Sequence, residues 1–213
     1  MTYTHAIGAI CNPIIMTIVR GLALARINPN VLTFIGLVVN VVAAYLLALG
    51  QFWAAGWVMI GASLFDMVDG RVARETNRVT RFGGFFDSVL DRYSDLGLLV
   101  GMLVWYGSIN RPFYVVLTSI AMIGCVMVSY TRARAENSIP TCKVGFMERP
   151  ERVVLVIIGA LFDHMAPVMW VMAVLANWTV VHRMVFTWQE AKRLEDAQLR
   201  PAGSGSARAA ARN

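Results

Sequence analysis

The residues of this chain best suited to chemistry are aspartates at the edges of two apolar stretches. Asp66 and Asp69 stand three apart, and Asp87, Asp91 and Asp95 follow one another at intervals of four. On helices these spacings place each group on one face. A short basic stretch joins the two groups, so two antiparallel neighbouring helices would bring Asp66, Asp69, Asp87 and Asp91 face to face. Four carboxylates cannot crowd together and stay ionised without compensation. A hard divalent cation, or two, is the natural compensation, and oxygen-only donors favour Mg2+, Mn2+ or Ca2+ over zinc. Two such ions about 3.5–4 Å apart suit displacement at phosphorus, one steadying the leaving oxygen and the other the attacked phosphoryl group. Asp95 continues the stripe, either as a support for the others or as a packed polar group. Small residues accompany the aspartates: Gly70 and Ala73 share the face of Asp66 and Asp69, and Gly83 and Gly84 open the next helix. They admit a flat base or a diphosphate to the backbone or let helices pack closely. For any one glycine taken alone, packing is the plainer account.

A second constellation is basic. Arg132 and Arg134 end one apolar stretch, Glu148-Arg149-Pro150-Glu151-Arg152 opens the next, and Arg183 closes the last. Arginines gathered in one cavity make a site for a phosphate dianion, which guanidinium groups grip bidentately. The alternative is charge anchoring at a membrane surface, with Arg149 and Arg152 paired to Glu148 and Glu151.

The elements that must position these residues are membrane helices. Of 213 residues, 57% are hydrophobic and 15% charged, with a mean hydropathy of +0.58. A soluble domain averages about 25% charged residues. Six spans are expected, at 31–49, 52 into 66–74, 83–106, 113–134, 148–162 and 166–188. A full span needs about 20 residues. The fifth is short and opens on charges, so its first turns must face a polar cavity rather than lipid. An interfacial helix is expected at 13–25, broken by Asn28-Pro29-Asn30. Residues 1–28 then form a cytoplasmic or interfacial segment, 29–190 the membrane domain, and 191–213 a cytoplasmic, disordered tail. Basic residues alternate by side: Arg71, Arg74, Arg78 and Arg81 in the second connection, Arg132, Arg134, Lys143, Arg149 and Arg152 around the fourth, Lys192 and Arg193 after the last. The positive-inside rule puts both termini and the aspartates at the cytoplasmic face of the cell membrane. The net charge of +6 therefore reads as topology, and without an aromatic-basic motif nucleic acid is not an expected partner. No cleavable signal peptide is expected. The three cysteines match no zinc spacing and read as reduced thiols.

The aspartates, glycines and alanine together form D-x2-D-G-x2-A-R-x8-G-x3-D-x3-D, running from Asp66 to Asp91 without a gap or substitution. This resembles the signature of the CDP-alcohol phosphotransferases. The resemblance covers nearly the whole chain, since six spans with the motif bridging the second and third is that family's layout. It implies an all-α integral membrane bundle, a homodimer, and two ions, Mg2+ or Mn2+, held by Asp66, Asp69, Asp87 and Asp91. It further implies Asp91 as general base and a CDP site lined by Gly70, Ala73 and Arg74. CDP-diacylglycerol would be the donor, with CMP leaving. The basic segments are similar to those of bacterial phosphatidylinositol-phosphate synthases, which implies that Arg132, Arg134, Arg149 and Arg183 bind the acceptor's phosphate. That group usually carries lysine where Arg132 stands.

The expected activity is transfer of phosphatidyl to a phosphorylated small alcohol, myo-inositol 1-phosphate, with glycerol 3-phosphate as the alternative acceptor. An unphosphorylated alcohol would leave the arginines without a dianion. A cation transporter would need its acidic groups near the membrane middle, along a path. Here they stand at one end, beside a basic cavity.

Overall fold

The computed structural model describes residues 29–75 and 79–199. The side chains of Asp69 and Ala73 lie outside this description, as do the expected interfacial helix at 13–25 and the tail from Pro201. Six helices make up the described chain: α1 Pro29–Ala48, α2 Phe52–Glu75, α3 Arg81–Ser108, α4 Pro112–Ala135, α5 Arg149–Leu161 and α6 Met165–Leu199. No strand is present among the described residues.

Local chemistry sets the boundaries. Pro29 and Pro112 stand at first helical positions, where a missing N–H costs nothing. Thr80, in extended conformation, caps α3 by accepting the Gly83 N–H at 2.9 Å. Arg132 and Arg134 occupy the last turn of α4, where cations oppose the negative end of the helix dipole. Pro150 fixes the first turn of α5.

Packing runs in two groups. α1 lies against both α2 and α3, and α4 lies against α6; α3 meets α4, α5 meets α2, and α6 closes on α5. The sequence suggested that α2 and α3 would be direct neighbours. Instead, α1 packs on both, and the ends carrying the aspartates are joined by α5. The α1–α3 crossing is close because residue 101 is glycine: a Cβ there would lie 2.3 Å from the Ala44 carbonyl oxygen. The main core cluster includes Leu47, Met59, Leu99, Met102, Val128, Met147, Met169 and Met172, and a smaller one holds Ala135, Ile139 and Cys142.

The outside is apolar as well. Val41, Tyr45, Trp57, Phe113, Ile123, Val174 and Trp178 are all exposed, an inversion that suits contact with lipid. Among the described residues, three helices are long and apolar enough to cross a membrane: Asn30–Ala48, Pro112–Ala135 and Met165–Ala197. Six were expected by sequence. α2 and α3 have the length, with 24 and 28 residues, but the aspartates and arginines of the site dilute their hydropathy. α5 has 13 residues, about 20 Å of helix, short of the roughly 30 Å apolar core of a bilayer. Of the charges in its first turn, Arg149 and Arg152 turn inward, whereas Glu151 is exposed.

Candidate active site

The aspartates come from the last turns of α2 and the first turns of α3, and α5 enters between them with a guanidinium. Arg149 Nη2 donates to Asp66 Oδ2 at 2.6 Å and lies 2.9 Å from Asp91 Oδ1. Its Nε stands 3.6 Å from Asp95 Oδ1. One arginine thus spans three carboxylates on two helices, with side chains only 18%, 15% and 9% exposed for Asp66, Asp91 and Asp95. Asp87, one turn before Asp91, lies within electrostatic reach of Arg149 and Asp66. The spacing of the aspartates led to the expectation that Asp66, Asp69, Asp87 and Asp91 face one another, and of these Asp66 and Asp91 meet at Arg149. Its bridging by Arg149 was not foreseen, because that arginine read as part of the anion site.

The donor set suits a hard cation: it is all oxygen, and the gap between Asp66 and Asp91 already accepts a positive group. As the described side chains stand, no three of His, Cys, Asp or Glu converge closely enough to hold a metal ion.

The helix glycine beside the acids has a telling environment. A Cβ built on Gly70 meets nothing within 4 Å, and the same holds for Gly84. Packing among the described residues, the plainer account of a lone glycine, therefore does not explain either. Arg74 is exposed on the last turn of α2.

On the basic side, Arg132 and Arg183 converge on Glu148. Arg132 Nη1 lies 3.1 Å and Arg183 Nη2 3.0 Å from the same oxygen, Oε1. Arg132 also pairs with Glu136 at 3.1 Å. Arg183 is 1% exposed and spends its other donors on backbone, Nε on the Val144 carbonyl at 2.8 Å and Nη1 on that of Val128 at 2.6 Å. Gly145, at φ +105°, makes this loop possible: a Cβ there would strike the Thr179 side chain at 2.4 Å. Arg134 and Arg183 line a cavity of about 440 Å³ between α4 and α6, with Tyr130, Thr131, Ser138 and Thr187. Of the four expected acceptor arginines, then, Arg132 and Arg183 meet, Arg134 shares a cavity wall with Arg183, and Arg149 is turned to the aspartates.

Arg149 and Arg152 do not pair with Glu148 and Glu151. Arg152, 3% exposed, donates to Asp95 Oδ2 at 2.5 Å and to the Met147 carbonyl at 3.1 Å. The sequence left the roles of Asp95, Glu148 and Arg152 undecided. Signals for Asp95 and Arg152 were present: Asp95 extends the four-residue stripe of α3, and Arg149 and Arg152 share a face of α5.

Across residues 26–189 the sequence matches the model of the CDP-alcohol phosphatidyltransferase family, and the chain belongs to that family. It is accordingly an enzyme of the phosphatidyltransferase class. Among its relatives, the archaetidylinositol phosphate synthase of Pyrococcus horikoshii is 36% identical over 177 residues, covering 83% of this chain and 90% of the relative. The phosphatidylinositol phosphate synthase of Mycobacterium tuberculosis is 36% identical over 183 residues, covering 80% and 84%. A crystal structure of the latter enzyme with CDP-DAG bound superposes with a TM-score of 0.77 at 34% identity, covering 83% of this chain and 94% of that one. Another, in complex with manganese and citrate, gives a TM-score of 0.75 at 35% identity, covering 82% and 88%.

Proposed function

We propose that this enzyme transfers the phosphatidyl group of CDP-diacylglycerol to myo-inositol 1-phosphate, releasing CMP and forming phosphatidylinositol phosphate. The contact of Arg149 with Asp66 and Asp91, at 2.6 and 2.9 Å, is what supports this most. An arginine of the basic constellation reaches the acidic one, so the two sites adjoin. An acceptor gripped by its phosphate would present its hydroxyl to the aspartates. Two relatives whose names differ in the lipid part share the inositol phosphate part, which favours inositol phosphate over glycerol 3-phosphate as acceptor.

In this reading Asp66, Asp69, Asp87 and Asp91 hold two divalent ions, Mg2+ or Mn2+, and the manganese complex of a relative is in keeping with that. When bound, the ions supply positive charge to the diphosphate and to the oxygens entering and leaving phosphorus. Gly70 and Ala73 let the cytidine diphosphate lie against α2, and Arg74 pairs with its phosphate. Arg132, Arg134, Arg149 and Arg183 bind the acceptor's phosphate. Asp91 accepts the proton of the attacking hydroxyl, the new bond forms from that oxygen to the lipid-bearing phosphorus, and the bond from phosphorus to the CMP oxygen breaks. A carboxylate near a metal is a weak base, so positioning and charge stabilisation must supply most of the rate. The domain spans 29–190 with six membrane helices, both termini and the site face the cytoplasm, and the enzyme works as a homodimer.

CMP release by purified protein, with CDP-diacylglycerol and Mg2+ or Mn2+, tests this directly. Release with inositol 1-phosphate but not with inositol or glycerol 3-phosphate is expected. Release with glycerol 3-phosphate instead would keep the aspartate chemistry and overturn the acceptor assignment.

A further inference from the structure

We infer that Asp95 and Arg152 form a positioning pair for the transfer, holding the guanidinium of Arg149 at the junction of the acidic and basic sites; this rests on the acceptor reading of Arg149. Asp95 lies one helical turn beyond Asp91, and both its oxygens face guanidinium groups: Oδ2 accepts from Arg152 at 2.5 Å and Oδ1 lies 3.6 Å from Arg149 Nε. It is therefore engaged by arginines rather than open to a ligand.

The geometry gives the pair two effects. The charge of Asp95 on the Nε side of Arg149 orients the planar fork, leaving Nη2 directed at Asp66 and Asp91. Meanwhile Arg152 ties Asp95 to the Met147 carbonyl at 3.1 Å, and the Met147 N–H donates to Thr179 on α6 at 3.3 Å. The residue preceding Glu148-Arg149 is thus fixed to α3 and α6 together, and Glu148 is where Arg132 and Arg183 meet. The side chains of Arg152 and Asp95 are only 4% and 9% exposed. A cavity of about 10 Å³ beside them is walled chiefly by Leu98, Leu99, Val153, Val156 and Met172. Such apolar surroundings screen the pair little, so its attraction is strong and its geometry well defined. Buried ion pairs add little net stability, but they can fix register between elements. Here the register fixed is that of α5 against α3.

A purely structural pair would change the yield of folded protein and leave the kinetic constants of that protein alone. A positioning pair moves the acceptor constant selectively. Asp95→Asn in the full chain is expected to raise KM for inositol 1-phosphate about tenfold, with KM for CDP-diacylglycerol unchanged, in protein normalised by CDP-lipid binding. In an Arg149→Ala background the same change should add clearly less, because there is no fork left to orient and only the hold on Met147 and Glu148 remains. An unchanged acceptor KM, equal rises in both constants, or a full effect in that background each overturns the inference. Should Asp95→Asn not accumulate as folded protein, Arg152→Lys carries the test. It keeps a cation opposite Asp95 but loses the fork that reaches Met147, so a selective rise in acceptor KM is expected and an unchanged value overturns the pair's role. Arg149→Ala is the control for the underlying reading. If it leaves acceptor KM unchanged, the acceptor assignment itself fails and this inference with it; if it raises KM while Asp95→Asn does not, only the positioning role fails.

Discussion

The acidic and basic halves of the site are built on opposite plans. On the acidic side, Asp66 and Asp91 both lie within 3 Å of one nitrogen, Nη2 of Arg149, with Asp87 nearby. Negative charge exceeds positive, and the surplus calls for a cation. On the basic side, Arg183 is nearly sealed from solvent and has Nε, Nη1 and Nη2 all engaged, with two backbone carbonyls and Glu148 as partners. Each half also holds a residue of the opposite sign, and the two are neighbours in sequence: Glu148 among the arginines, Arg149 among the aspartates. Adjacent residues standing in for an anion and a cation show how closely the two halves are coupled. The acidic half gathers several carboxylates around one guanidinium; the basic half is largely pre-satisfied by backbone and Glu148.

The largest effect should come from the acidic half. Asp91→Asn is expected to reduce turnover by roughly 10²–10⁴-fold, the usual worth of general acid–base catalysis, while CDP-lipid binding persists. CMP release and calorimetric titration with CDP-diacylglycerol measure the two. Near-normal turnover would take the base role from Asp91. In the basic half the main casualty should be the fold. Arg183→Ala takes the guanidinium from the carbonyls of Val128 and Val144 while Glu148 keeps Arg132, so a loss of about 1–3 kcal/mol is expected, read as a lower unfolding temperature in detergent. Arg132, with a side chain 37% exposed, should tolerate alanine with a change of about 1 kcal/mol or less and a raised acceptor KM. Equal stability losses for the two would erase the distinction between a sealed and an open arginine.

The difference in plan also explains what could be read from sequence. The acids lie in one segment, Asp66 to Asp91, at helical spacings, so periodicity alone brings each group to one face. Most helix boundaries were similarly legible: 113–134 was expected and Pro112–Ala135 observed, because apolar runs end at proline and charge; the sixth helix, expected to end at 188, instead runs to Leu199 through residues expected in the disordered tail. The arginines come from three helices separated by up to about fifty residues, and no local pattern states their partners. Arg149 and Arg152 have glutamates beside them in sequence, yet they pair with aspartates contributed by α2 and α3. On a helix, residues next to each other point different ways, so proximity in sequence misleads. The placement of α1 against both α2 and α3 was likewise illegible, since it depends on close approaches such as that of Gly101 to Ala44.

Arg149 joins the halves, and its removal should act on both with opposite signs. In Arg149→Ala the acceptor KM is expected to rise about tenfold, by roughly 1.4 kcal/mol of lost binding, with little change for the donor. Mn2+ should bind the same variant more tightly than wild type, because Asp66 and Asp91 no longer have a guanidinium to displace. Electron paramagnetic resonance of free Mn2+ measures this without turnover. Weaker Mn2+ binding in the variant would mean that Arg149 supports the metal site instead of competing for it.

The smallest effect should be at Gly70, and it separates packing from ligand access. Within α2 a glycine is less favourable than alanine by about 0.8–1.0 kcal/mol, so its presence needs a reason. Packing among the described residues offers none, because a Cβ at this position meets nothing of theirs within 4 Å. Gly70→Ala should therefore leave thermal stability unchanged or slightly raised. If cytidine diphosphate lies against this face, the added methyl should weaken CDP-diacylglycerol binding several-fold, by about 1 kcal/mol. Titration with the donor and a melting curve on the same preparation decide it. Stability gained with donor affinity untouched would show that the nucleotide lies elsewhere; stability gained with affinity lost would mark Gly70 as a position kept open for the ligand at the expense of the helix.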